Sequence, residues 1–141
     1  MNAQEQAHNL ELTSKIATVV NLFKLEFPDS KADFKPWRND PDTQEWIDPD
    51  SIDLGFHFPG WSRQLQCKSI LVQIRFHQEF STLEKSLIGL ELAGFNHLGM
   101  AWRLSTVENW QLVGCALPSQ DCQEKLKSFS RQVFSLFKSG T

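Results

Sequence analysis

Four histidines and three cysteines are the side chains of this 141-residue chain best suited to metal binding or nucleophilic chemistry. They are His8, His57, His77, His97, Cys67, Cys115 and Cys122. A metal site needs several such ligands to converge, and this is usually signalled by a short spacing such as HExxH or a CxxC pair. Neither spacing occurs in the sequence. We therefore expect no metal and no cofactor, and we interpret the histidines as solvated or hydrogen-bonded.

A thiol–imidazole pair is the one nucleophilic arrangement that the pattern of the strands allows. Cys67 and His57 alternate onto the polar face of two neighbouring predicted strands, where the imidazole could act as base for the thiol. A cysteine in such a position is more often a small packing residue. The sequence has neither the GxSxG elbow of hydrolases nor a glycine-rich phosphate loop. We therefore expect no catalytic residue and a protein that is not an enzyme.

A run of six carboxylates extends from Asp40 to Asp53 with no basic residue among them. Its start, Asp40-Pro41-Asp42, resembles a calcium-binding loop. An EF-hand needs glycine at its sixth position and glutamate at its twelfth, which here are Glu45 and Ser51. Aspartate beside proline is typical of turns. We interpret the run as an acidic loop that suits a basic or amphipathic partner.

The aromatic residues are divided unusually, with 5 Trp, 11 Phe and no Tyr. Three tryptophans, Trp37, Trp46 and Trp61, fall in predicted loops or turns. Half-exposed tryptophans are enriched at binding hot spots, although they can also close the open ends of a small core. We predict that a partner protein is bound by Trp37, Trp46 and Trp61, with Asp42 and Glu45 beside two of them.

Two amphipathic helices are predicted, one at each end of the chain. Over residues 3–27 the apolar positions recur at helical spacing, and Pro28 ends the helix. A long, proline-rich, acidic loop follows at about 28–50. After Pro118 a second helix opens with Ser119 as N-cap. The apolar face of this second helix is wide, and we predict that Phe134 and Phe137 form a homodimer interface.

Alternating apolar and polar residues predict strands between the two helices. The predicted strands cover 52–58, 67–76, 98–104 and 110–117, with a turn at Pro59-Gly60-Trp61-Ser62. The capping box Ser81-Thr82-Leu83-Glu84 predicts a short helix followed by a further strand, and the pattern leaves Ile88–Phe95 open between strand and helix. The predicted fold is α+β: an antiparallel sheet of four or five strands with N- and C-terminal helices packed on one face. We expect one domain over 1–141.

Composition excludes several classes of protein. With 40% hydrophobic and 22% charged residues the chain is typical of a globular protein, and its net charge of −3 argues against a nucleic-acid partner. No apolar run approaches the length of a membrane span, and the first residues lack the features of a signal peptide. We expect a cytoplasmic protein with reduced cysteines and no membrane partner.

The run Phe56-His57-Phe58-Pro59-Gly60-Trp61 through Arg75, together with the layout and the acidic charge, resembles small cyanobacterial accessory proteins. Among these the chain is similar to the carboxysome-assembly chaperone family, which binds the C-terminal tail of a shell protein. The resemblance spans the whole length. It implies a non-catalytic homodimer that captures an extended peptide and helps to assemble the shell.

Two functions from different classes therefore remain open. The first is an assembly chaperone or adaptor that binds a peptide segment of a partner protein. The alternative is a small enzyme or ligand-binding protein that uses the polar face of the sheet. That face is predicted to carry His57, Cys67, Gln73, Arg75 and Arg103. An open apolar groove favours the first function, and a closed concavity with convergent polar groups favours the second.

Overall fold

A computed structural model of the chain describes residues 2–6, 10–36, 51–78 and 85–138. The helices are α1 (Ala3–Gln6), α2 (Leu10–Glu26) and α3 (Gln120–Lys138). The strands are β1 (Lys31–Asp33), β2 (Ser51–Ser62), β3 (Cys67–Gln78), β4 (Lys85–Asn96), β5 (Gly99–Ser105) and β6 (Leu112–Gly114). The α+β class and the two terminal helices predicted from the sequence are confirmed. No described helix is long and apolar enough to cross a bilayer.

The strands form one antiparallel meander in the order β1-β2-β3-β4-β5-β6. The prediction of four or five strands was wrong because β1 lies in the stretch that we had assigned to the long loop. Lys31-Ala32-Asp33 has no strand pattern of its own, and it forms a strand by pairing with the edge of β2, where Ala32 lies opposite Phe56. Asn2 makes an isolated bridge to Asp53 of the same strand.

The turn predicted at Pro59–Ser62 was also wrong. Strand β2 continues through these residues to Ser62, and the turn occupies 63–66. The register between β2 and β3 shifts between His57 and Ser62. A proline has no N–H to donate to a strand ladder, so an irregular stretch of strand is where it is tolerated. Trp61 therefore lies on the last part of a strand and not in the turn.

Strand β4 resolves the ambiguity over Ile88–Phe95. Residues 81–84, which carry the capping box, lie outside the described residues, and from Lys85 the chain is a 12-residue strand. The predicted short helix does not extend into this range. Leucines at positions 87, 90 and 92 fit either structure locally, so hydrogen bonding to β3 and β5 on both sides decides the outcome. The last predicted strand, 110–117, shortens to Leu112–Gly114.

Both long helices cover the same face of the sheet, as predicted. The Phe23 ring of α2 stacks on Phe56 of β2 with centroids 3.9 Å apart. The Phe137 ring of α3 lies 5.4 Å from Phe76 of β3. The helices also contact each other through Phe23 and Phe129, whose centroids are 5.2 Å apart. The core therefore lies between one helix layer and one sheet face.

Candidate functional site

A groove of about 420 Å³ opens at one end of the sheet, where three elements meet. These are the C-terminal end of α2, the hairpin between β2 and β3, and the first turns of α3. Its apolar lining includes Phe27, Phe58, Trp61 and Leu65. A partly open concavity of this size, lined by both apolar and polar side chains, fits one or two side chains of a bound segment.

The floor of the groove is held by aromatic packing and by a closed turn. Phe27 is buried, and its ring lies 5.0 Å from Phe23 and 6.3 Å edge-on from Phe58. The hydroxyl of Ser30 donates to the carbonyl of Phe27 at 2.8 Å, which fixes the chain where α2 ends. The floor of the groove is therefore formed by packed aromatic side chains.

The hairpin side of the groove is tied to α3 and to the core. The backbone N–H of Ser119 donates to the carbonyl of Gln64 at 2.7 Å, and the indole Nε1 of Trp102 donates to the carbonyl of Leu65 at 2.7 Å. The N–H of Cys122 donates to the Ser119 hydroxyl at 3.3 Å, so Ser119 is the N-cap that the sequence predicts. These bonds position the hairpin, while Trp61 at its edge stays 54% exposed.

The charges around the groove are unevenly distributed. Glu26 and Asp29 line it beside the C-terminal end of α2. Lys125 lines it on the side of α3, where its Nζ lies 3.4 Å from the carboxylate of Asp121. The α2 side is therefore negative, and the one lysine of the lining already has an acidic partner.

The predicted partner-binding residues are only partly accounted for. Trp61 lies at the groove. Trp37, Trp46, Asp42 and Glu45 lie outside the described residues. Sequence reasoning missed Phe27, Phe58, Glu26 and Asp29 as groove residues. It assigned the two phenylalanines to the apolar periodicity of a helix and a strand and Asp29 to the helix end, and it gave Glu26 no role. A signal was present in the two prolines, Pro28 and Pro59, which lie next to aromatic residues just after the end of α2 and within the irregular part of β2, and which also line the groove.

Phe134 and Phe137, the predicted dimer interface, are half-buried and have aromatic neighbours within the chain. Phe134 lies 5.7 Å from Trp110, and Phe137 packs on Phe76. The ammonium of Lys15 lies 5.3 Å from the centre of the Phe137 ring. A contact of these rings with a second copy stays a prediction.

The thiol–imidazole pair considered for catalysis is not formed. Cys67 is fully buried in the core and not on the polar sheet face, because the register of the hairpin shifts between His57 and Ser62. Desolvation by burial, together with the nearby Cys122 thiol, raises the pKa of Cys67 to about 12. A thiol with so high a pKa stays protonated at neutral pH, whereas a nucleophile must be a thiolate. His57 instead lies 3.1 Å from the carboxylate of Asp33.

The sheet face away from the helices carries the other predicted polar residues. Of these, Gln73 lies in a row of polar side chains that crosses neighbouring strands and also contains Asp53, Glu91 and Ser105. Beside the row, Arg75 lies 3.4 Å from Glu91, and Arg103 lies 2.6 Å from Glu108. Two buried atoms of this face, the Ser105 hydroxyl and the Arg103 Nε, have no hydrogen-bond partner among the described residues.

A small hollow of about 160 Å³ on the same face lies between Pro36, His57, Leu71 and Phe95. It is large enough for one apolar side chain. Within the described ranges, no three or more His, Cys, Asp or Glu side chains are close enough together to hold a metal ion. His97 is exposed in the β4–β5 turn. The side chains of His8 and His77 lie outside the part of the chain that the structure describes.

Comparison with known proteins places the chain in a family. A family model described as a domain of unknown function matches residues 4–139. The chain belongs to this family. The match spans α2, the described sheet and α3 together, so the groove is built from elements that all lie within the family domain. No curated protein and no solved structure matches the chain significantly.

Proposed function

We propose that this protein is a non-catalytic accessory protein, an assembly chaperone or adaptor, that binds an extended segment of a partner protein in the groove beside Trp61. The observation that carries the proposal is the exposure of this indole at the edge of a groove that has aromatic side chains in its floor. Large apolar side chains are normally buried, and an exposed tryptophan beside an apolar concavity is typical of a binding hot spot.

The construction of the groove supports binding and not chemistry. Its floor consists of aromatic and aliphatic side chains, and its edge is open to solvent. An apolar side chain of the partner would be covered by Phe58, Trp61 and Leu65, while the main chain of the segment stays at the open edge. The resemblance of Phe56–Trp61 to the carboxysome-assembly chaperone family makes the tail of a shell protein one candidate for this segment.

The test uses a displayed library of random peptides selected on the wild-type protein, followed by affinity measurements with the enriched peptides. Removal of a hot-spot tryptophan costs roughly 2 kcal/mol or more. We therefore expect Trp61→Ala to weaken binding by about 30-fold or more. The matched control is Leu98→Ala, because Leu98 is 85% exposed in the β4–β5 turn and does not line the groove.

Thermal unfolding of each variant separates loss of binding from loss of fold. Trp61 is half-exposed, so we expect Trp61→Ala to unfold near the wild-type temperature. If no peptide is enriched, or if the enriched peptides bind Trp61→Ala as tightly as the wild type, the proposed function is wrong.

A second candidate function, binding of a small polar ligand on the open sheet face, rests on the unpartnered Ser105 hydroxyl and Arg103 Nε. Buried polar atoms without partners cost free energy. A ligand that donates to the hydroxyl and accepts from the guanidinium would recover it once a local opening of the sheet face exposes both atoms, which are buried here. Such a ligand would raise the unfolding temperature of the wild type and of Trp61→Ala equally.

A further inference from the structure

We infer that the groove selects segments in which a basic residue is adjacent to a bulky apolar residue. This inference rests on the proposed function and adds the chemistry of the partner to it. It is carried by the position of two carboxylates relative to the apolar lining.

The α2 side of the groove carries negative charge. Glu26 is half-buried and Asp29 is exposed, and both line the groove next to Phe27. In the described part of the chain neither carboxylate forms an ion pair. The carbonyl groups at the C-terminal end of a helix add further negative potential. The lysine of the last turn of α2, Lys24, does not line the groove.

Apart from Lys125, the described lining of the groove carries no positive charge that would compete with a cation of the partner. Among the described residues, Lys125 is the one basic residue that lines the groove, and its Nζ lies 3.4 Å from the carboxylate of Asp121 on the same helix. The lining therefore presents two carboxylates that are available to a partner and a lysine that is already paired. An acidic segment would be repelled by the two carboxylates, whereas a lysine or arginine would be attracted to them.

The two carboxylates lie next to the apolar part of the groove lining. Glu26 and Asp29 flank Phe27, whose ring contacts Phe58 in the floor. A cation paired with these carboxylates therefore lies beside the place where an apolar side chain is buried, so the two partner residues are neighbours in sequence or nearly so.

The experiment reads the sequences that the library enriches and then removes the charges. We expect the peptides that depend on Trp61 to carry Arg or Lys within about two residues of Trp, Phe, Leu or Met. With such a peptide, the double variant Glu26→Gln/Asp29→Asn is expected to bind about tenfold more weakly at low salt. Salt screens exposed charges, so raising the salt should weaken the wild type more than the double variant.

The matched control is Glu124→Gln, which neutralises an exposed carboxylate of α3 outside the groove lining. We expect it to bind like the wild type. If the Trp61-dependent peptides show no preference for basic residues, or if the double variant binds them as tightly as Glu124→Gln does, this inference is wrong while the proposed function stands. If no peptide depends on Trp61, both are wrong.

Discussion

Trp102 is the largest fully buried side chain of the described core, and its indole lies directly against Gly94 of the neighbouring strand. A Cβ atom at position 94 would overlap the indole well inside van der Waals contact. The glycine is therefore needed for space. The same indole donates its hydrogen bond to the carbonyl of Leu65, so the position of Trp102 also sets the position of the groove wall.

We predict that Gly94→Ala lowers the free energy of unfolding by about 1–3 kcal/mol, as other overpacked cores do. The matched control is Gly60→Ala, because a Cβ at position 60 meets no atom within 4 Å. Urea unfolding of both variants measures the difference. A loss in Gly94→Ala no larger than that in Gly60→Ala would contradict the steric role of Gly94.

At the residue scale, the sequence predicts which side chains are important better than it predicts which of them meet. Trp61 was identified by its type and by its place beside Pro59 and Gly60. Part of the groove around it comes from the end of α2 and from α3, which are far away in sequence, and no local pattern reveals that these elements meet there. The assignment of Cys67 to the polar face failed for a related reason, because strand alternation holds only while the register is unbroken.

At the scale of elements, the start of α3 is both a helix cap and a part of the groove. Ser119 accepts a hydrogen bond from the Cys122 N–H through its hydroxyl, while its own N–H donates to Gln64 in the hairpin. The first bond stabilises the helix, and the second joins the helix to the groove wall. The cap was predictable, since serine after proline before an amphipathic run is a local signal. The attachment to the hairpin was not.

We predict that Ser119→Ala lowers the free energy of unfolding by about 1 kcal/mol, because an N–H of the first turn loses its acceptor. Ser119→Asp should retain most of the stability, since its carboxylate can accept the same bond and suits the positive end of the helix. Both variants keep the backbone bond to Gln64. Urea unfolding gives the comparison, and equal stability of Ser119→Ala and the wild type would show that the cap contributes nothing.

The sheet elements were predictable where alternation is long and uninterrupted. Strands β3 and β5 were predicted close to their observed bounds because apolar residues alternate along them. Strand β1 has three residues and no alternation, and it depends on the edge of β2. In β4 the spacing of leucines fits a helix as well as a strand, so only the pairing with its two neighbours makes it a strand.

At the scale of the whole molecule, the two long helices and the sheet define a core and two outer surfaces. The sheet face under the helices is the core, and the opposite face is polar and half-buried. The outer surfaces of the helices carry the most exposed apolar residues of the helical layer, Leu10 at 86% and Leu25 at 76%, and both belong to α2. The described residues of α3 place their large apolar side chains against the core or its edge, as Phe134 and Phe137 show.

These surfaces make the predicted homodimer testable in two parts. Light scattering after gel filtration is expected to give twice the chain mass of 16.2 kDa at micromolar concentration. If α3 forms the interface, Phe134→Ala should shift the mass towards one chain. The double variant Leu10→Ser/Leu25→Ser, which changes two exposed side chains of α2, should leave the mass unchanged.

The two variants distinguish the interfaces because Phe134 already packs on Trp110 within the monomer, whereas Leu10 and Leu25 are exposed. The Phe134 ring contacts Trp110 within the monomer, so circular dichroism must show that Phe134→Ala is folded before its mass is interpreted. If only the α2 double variant dissociates the dimer, the apolar residues left exposed by the monomer form the interface, and the assignment to Phe134 and Phe137 is wrong.

A single-chain mass for the wild type at every concentration would contradict the dimer itself. The groove beside Trp61 would then have to bind its partner as one site on one chain, without a second site to increase the affinity through bivalent attachment.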